Sequence, residues 1–173
     1  MKTTYKLLFA SLLALSVASC NQVNNIIDDF FTFNVVKTIQ TPLPAATPTG
    51  ILFPAIPIPV PLDSATLATN KTNLSKVKTC KLTGLNITFS DPAYTITNFD
   101  SLYVNIIGDA LPEINLATYG SSKTTMTYSQ SDFAAYIKGK NPQFKVGFKC
   151  NKAPKTDVQM NSAITLTLTA QPL

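Results

Sequence analysis

Residues 56–62 read Ile56-Pro57-Ile58-Pro59-Val60-Pro61-Leu62, and their alternation decides the fold. In an extended strand, side chains alternate between faces and backbone donors alternate between edges. Pro57, Pro59 and Pro61 therefore place three missing N–H groups along one edge, while Ile56, Ile58, Val60 and Leu62 collect on one face. Only the outermost strand of a sheet accommodates that pattern, and the same prolines block a further strand from pairing there. The rival is a polyproline II segment, a form read by proline-recognition domains, but its threefold period would scatter the four apolar side chains around the axis. The surrounding region 41–62 holds most of the chain's 12 prolines, yet Ile51, Leu52 and Phe53 make it too apolar for a solvated linker.

Other segments repeat the two-residue period. Upstream, Phe31, Phe33, Val35 and Ile39 share one parity against Thr32, Asn34, Thr38 and Gln40, which predicts a strand over 30–41. Residues 66–77 predict a short helix or a loop. In 78–90, Cys80 and Leu82 lie on one parity and Leu85, Ile87 and Phe89 on the other, so Gly84 marks a bulge or bend. Leu102, Val104 and Ile106 form the next strand, with a turn at 108–112 and a return over 113–119. A further candidate strand covers 124–129. Ser131 and Asp132 suit the start of a helical turn through Phe133, Tyr136 and Ile137, with Ser131 as its cap, and Gly139 ends it. Phe144, Val146, Phe148 and Cys150 then alternate with Lys145, Gly147 and Lys149, and 158–170 alternates to the end. Seven or eight strands with no long amphipathic helix predict an all-β domain. We expect a single antiparallel β-sandwich over 30–173 with a Pro-rich edge and one or two short helical turns; a small barrel is the alternative.

The start of the chain has a different character. Lys2 and Lys6 precede an 11-residue apolar run from Leu7 to Val17, too short to span a bilayer, and Val17-Ala18-Ser19-Cys20 follows. This tail resembles the lipobox of bacterial lipoproteins, in which a branched apolar residue and two small residues precede an obligatory cysteine. The resemblance implies cleavage before Cys20, a diacylglyceryl thioether on its sulfur and acylation of the new amino group. Two or more acyl chains hold a protein on a membrane where one holds it only marginally. It implies a signal peptide over 1–19 and a lipidated, Asn-rich tether over 20–29. Asn21 is not the Asp that retains lipoproteins at the inner membrane in the best-known sorting rule, so the analogy favours the outer membrane. The strand layout is also similar to that of small envelope lipoproteins of uncharacterised role, a likeness that carries no functional residues across.

The chain has 173 residues, 14 basic and 9 acidic, and every basic residue is Lys; His, Trp and Arg are absent. Without His, the Ser-His-Asp and Cys-His nucleophile systems and the usual zinc sites have no members. Without Arg, the bidentate fork that reads phosphates and base edges is missing. After removal of the signal the net charge is only +3, so the basic pI does not argue for nucleic acid. With Cys20 lipidated, Cys80 and Cys150 remain as a candidate disulfide, since both have inward parity in an oxidising compartment. Closing a loop of about 70 residues would contribute roughly 4 kcal/mol in the chain-entropy model; buried free thiols are the alternative.

Chemistry is sparse. Asp91, Asp100, Asp109, Glu113, Asp132 and Asp157 lie at turns and element ends, where capping and turn chemistry account for most of them, although a glycosidase could use such a pair. No acid-dense calcium loop, close Cys pair or Gly-rich phosphate loop occurs, so neither a metal nor a cofactor is expected. The Asn-x-Ser/Thr triplets at Asn70, Asn73 and Asn86 carry little meaning beside a bacterial-type lipobox. Tyr94, Tyr103, Tyr119, Tyr128 and Tyr136 offer stacking faces for sugars, and Tyr103 has outward parity. The sequence therefore points to a non-enzymatic, lipid-anchored envelope module with a structural, adhesive or accessory role. It expects a protein or glycan partner and no nucleic acid. A glycan-binding lipoprotein is the alternative, and a carboxylate-based envelope hydrolase the third reading.

Overall fold

A computed structural model describes residues 30–45, 47–53, 55–60, 62–120 and 125–173. Val17, Ala18, Ser19 and Cys20, expected to form a lipobox, and the expected signal peptide over 1–19 and tether over 20–29 lie outside the described residues, as does Pro61. The chain forms eight strands: β1 Phe31–Leu43, β2 Ile56–Pro59, β3 Val77–Phe89, β4 Phe99–Gly108, β5 Leu111–Gly120, β6 Thr127–Tyr128, β7 Gln143–Cys150 and β8 Val158–Ala170. Two short helices, α1 Ser64–Thr69 and α2 Ala134–Lys138, and two 3-10 turns, Leu74–Lys76 and Ile96–Asn98, join them. The strands build two antiparallel sheets, ordered β1-β8-β3 and β2-β7-β4-β5-β6, which face each other across one core. The architecture is an all-β sandwich.

The sandwich follows from the alternation. Along β8 the even residues from Val158 to Ala170 are all buried and the intervening ones are not, so one face of the strand enters the core. β7 buries Phe144, Val146, Phe148 and Cys150 in the same way. In β3 the register slips between Leu82 and Gly84, skipping Thr83, and this bulge carries the inward set from Cys80 and Leu82 to Leu85, Ile87 and Phe89. Gly84 is suited to the bend because a Cβ there would stand 3.1 Å from the Thr165 side chain. β2 is the outermost strand of its sheet, paired only with β7, with Ile56 and Ile58 half-buried and Pro57 and Pro59 exposed. Strand-edge prolines thus stand where the sequence puts them.

Two local expectations are corrected. Ser131 does not cap α2. Asp132 instead turns its carboxylate so that Oδ1 accepts from the Ala134 N–H at 3.0 Å and from the Cys80 N–H at 2.8 Å. One side chain thus starts the helix and closes part of the open edge of β3, because a single carboxylate oxygen accepts from both donors. The Phe133 N–H donates to the Cys80 carbonyl, and the Tyr128 hydroxyl accepts from the Leu85 N–H, covering more of that edge.

The second correction concerns the disulfide: Cys80 and Cys150 are both buried free thiols. Cys80 pairs with Leu168 of β8, whereas Cys150 pairs with Phe99, whose ring stacks on Phe89 opposite Met160. Eight positions of β8 separate those two rows, roughly 26 Å at the rise of a strand. A disulfide needs Cα atoms within about 7 Å. Both cysteines face the core, but they lie toward opposite ends of the sandwich.

Candidate functional site

The outer face of the three-stranded sheet is set by the strand period and the register. Reading across β1, β8 and β3, its rows run Thr32–Thr169–Thr79, Asn34–Thr167–Lys81 and Thr38–Ala163–Asn86. None of the three strands contains an Asp or Glu. Hydroxyls and amides knit the face together. Thr83 and Thr167 share a hydrogen bond of 2.8 Å, Thr167 donates to Asn34 Oδ1 at 2.8 Å, and the Thr32 and Thr169 hydroxyls lie 3.2 Å apart. Near its centre, Val36 is 60% exposed. β-branched Thr is favoured on a pleated surface, and its methyl groups leave a polar face held in place by side-chain bonds, free of carboxylates and with Lys81 as the charge in these rows.

A second feature lies at the end of the sandwich where β1 starts. There Val60, Leu62, Leu74, Ile137 and Pro142 line an open cleft of about 420 Å³ between β2, the Leu74–Lys76 turn and α2. It continues past Leu62 and Leu74 into a more apolar recess of about 280 Å³ that reaches Leu67 and Asn73. Lys138 and Ser75 stand at its mouth with Leu74. The cleft exists because β2 is only four residues long and uncovers the end of the core.

Tyr103 faces outward, as its parity predicts, but its ring is already engaged. It pairs across strands with Gly147 and lies over that residue so closely that a Cβ there would fall 2.2 Å from its Cζ. The ring covers a glycine backbone that would otherwise be bare in the middle of a sheet. The remaining tyrosines are also committed to structure. Tyr94, Tyr119 and Tyr136 are buried. The Tyr94 hydroxyl donates to the Lys152 carbonyl at 2.8 Å, that of Tyr136 to the Pro112 carbonyl, and that of Tyr128 accepts from β3.

The carboxylates are mostly occupied with local structure. Asp63 caps α1 through the Thr66 N–H at 2.6 Å and meets Lys37 at 3.5 Å. The Thr66 bond, more than the lysine, holds its carboxyl below the usual range. Asp91 accepts from Ala93, Asp157 from Ala45, and Asp100 pairs with Lys149 at 3.5 Å. Glu113 accepts from Lys145 at 2.8 Å and from Asn105 at 2.6 Å, and both bonds lower its pKa. No two of these acids share a partner. Among the described residues there is no group of three or more His, Cys, Asp or Glu placed to hold a metal. Nor is any helix long and apolar enough to cross a membrane.

The thiols are chemically quiet. Burial, aided by the nearby Asp132 carboxylate, pushes Cys80 up to about 12, and burial also raises Cys150, beside the Tyr94 hydroxyl at 3.7 Å. A thiol held protonated is a poor nucleophile and a poor metal ligand. Comparison with protein-family models, curated proteins and solved structures returns no match to this chain. The functional reading therefore rests on its own residues. Sequence reasoning missed both surface features: the carboxylate-free face emerges only when β1, β8 and β3 are laid side by side, and the cleft only when Leu62 and Leu74 meet α2.

Proposed function

We propose that the protein is a lipid-anchored component of a bacterial envelope that works by recognition rather than turnover, with the outer face of the β1-β8-β3 sheet as its contact surface. The observation that carries the reading is that face: three 13-residue strands with no carboxylate, presenting hydroxyls, amides and methyl groups in fixed rows. An ordinary soluble surface interleaves both signs of charge. A hydrogen-bonding surface whose rows carry one lysine, Lys81, and no carboxylate suits a polar partner, and little charge has to be desolvated when it is covered. The lipobox at 17–20 supports the anchor, and the occupied carboxylates and protonated thiols support recognition over catalysis.

A glycan is the ligand class that this face favours as a second reading, because sugars present alternating hydroxyls and C–H faces that Thr and Asn complement. That support comes from the rows of the sheet and not from Tyr103, whose ring is already in use. The test is Val36→Glu with Thr38→Glu, two exposed positions where charge leaves the core untouched. Crosslinking in intact envelopes should recover partners with the natural chain and lose them with the double variant, and glycan-array signals should fall in parallel. Unchanged partners would refute the contact face. Incorporation of labelled palmitate that persists in Cys20→Ala would refute the anchor.

A further inference from the structure

The end of the sandwich where β1 begins carries an unbalanced charge, and we propose that it docks on anionic phospholipid headgroups, so that the domain stands on the membrane to which it is tethered. The inference rests on the lipid-anchor reading of Cys20 and deepens it. Lys71, Lys76, Lys78, Lys138 and Lys140 are all exposed, and none enters an ion pair among the described residues.

Backbone contacts place them together. The Lys71 and Lys76 carbonyls accept from Leu173 and Gln171 just beyond β8, and the Lys140 carbonyl accepts from Asp109. Lys138 stands with Leu74 at the mouth of the cleft, and the Lys78 ammonium lies 5.4 Å from the Phe30 ring centroid, where the described chain begins. Asp109 and Asp132, the latter bonded to the Cys80 and Ala134 N–H groups, are the acids that share this end without an ion pair, two against the five lysines, since Asp63 is engaged by Lys37. The opposite end is balanced, with Asp91, Asp100 and Asp157 set against Lys149, Lys152 and Lys155.

Position and charge thus point the same way. Phe30 is ten residues from Cys20, and ten residues span at most ~35 Å. Headgroup attraction fades over ~8 Å at physiological salt, so the lysines must come close to act. A short tether supplies that proximity by raising the local concentration of the surface to about millimolar or above, at which weak contacts become occupied. Lysines near an anionic surface each strengthen binding about fivefold.

The test uses the acylated full chain purified from membranes and reconstituted into vesicles, either neutral phosphatidylcholine or the same lipid with anionic phosphatidylglycerol. Amine-acylation rates are then read at each lysine by mass spectrometry. In anionic vesicles Lys71, Lys76, Lys78, Lys138 and Lys140 should be protected at least fivefold relative to Lys152 and Lys155, and half-molar salt should abolish the protection. Equal labelling at both ends of a chain whose Cys20 carries acyl mass would overturn the docking while leaving the anchor intact. Protection that is the same in neutral vesicles, or that survives high salt, would also overturn it by assigning contact to the apolar cleft. If Cys20 carries no acyl mass, the anchor has failed, and the unmodified chain with added anionic vesicles decides the docking separately. Salt-sensitive protection of the same five lysines would support it, and none would overturn it. Protection by a soluble acidic polysaccharide but not by vesicles would overturn it in favour of a glycan.

Discussion

Gly147→Ala separates a structural from a recognition role for Tyr103. The substitution adds one methyl group at the centre of the five-stranded sheet, where β7 lies between β2 and β4. An ideal Cβ would sit 2.2 Å from Tyr103 Cζ and 2.3 Å from its hydroxyl oxygen, so the ring must leave. Because the contact is with the far end of a side chain, the strand need not move. The loss is the ring's packing, about 1–2 kcal/mol, at the lower end of what overpacking costs. With Tyr103→Ala already in place the obstacle is gone, and Ala in a strand interior should instead stabilise by about 0.5–1 kcal/mol over Gly. The sign of the effect therefore reverses between the two backgrounds, with a coupling of about 2 kcal/mol, well above the additivity error of independent sites. Urea denaturation of the four proteins, read at constant m-value, measures it. If Gly147→Ala has the same effect with and without the tyrosine ring, Tyr103 does not cover Gly147, and the ring is free to serve a ligand after all.

Alkaline stability tests the burial of Cys80. Its folded pKa of about 12 lies above the ordinary 9.0, so above pH 9 the unfolded chain gives up a proton that the folded chain keeps. Stability should therefore fall by about 1.4 kcal/mol per pH unit between pH 9 and 12 on account of this group; in Cys80→Ala the slope of denaturation free energy against pH should flatten by that amount, and an unchanged slope would contradict the burial. Asp132→Ala should destabilise by about 2–3 kcal/mol, since it strips a charged acceptor from two backbone donors; hydrogen exchange should show faster opening at Cys80 and Ala134, and protection equal to that of the natural chain would count against the bridge. Pro57→Thr with Pro59→Thr restores two donors to the exposed edge of β2, so light scattering should detect concentration-dependent association that the natural chain lacks. Alkylation after unfolding without reductant should add two tags, at Cys80 and Cys150; mass that changes on reduction would restore the disulfide.

Much of the fold was legible because a sheet writes its burial into a two-residue period. The alternation along β8, the phase change at Gly84 and the prolines of β2 each correspond to one physical constraint on one strand, so a reader of the sequence needs nothing from elsewhere in the chain. What escaped were facts about two strands at once. Inward parity put Cys80 and Cys150 in the core correctly, but parity carries no information on position along the sandwich axis, and the bridge fails on that coordinate. Outward parity placed Tyr103 correctly, yet only the β4–β7 register sets a glycine beneath it. Asp132 looked like part of a helix start, and its second donor, the Cys80 N–H, is 52 positions away. The carboxylate-free sheet face escaped for the same reason: Thr and Asn on a single strand are ordinary, and their meaning lies in the company they keep on its neighbours.

The placement of β8 has a consequence for biogenesis. It is the middle strand of its sheet, hydrogen-bonded on one side to β1 and on the other to β3, and it follows both of them in sequence. Phe31 must wait for Ala170 before it has a partner, so neither flanking strand can settle until β8 has emerged. Such a sheet closes in one late step, like a drawstring pulled at its final stitch. Its flanking strands, each 13 residues long and unpaired until then, are the segments most open to mispairing in the meantime.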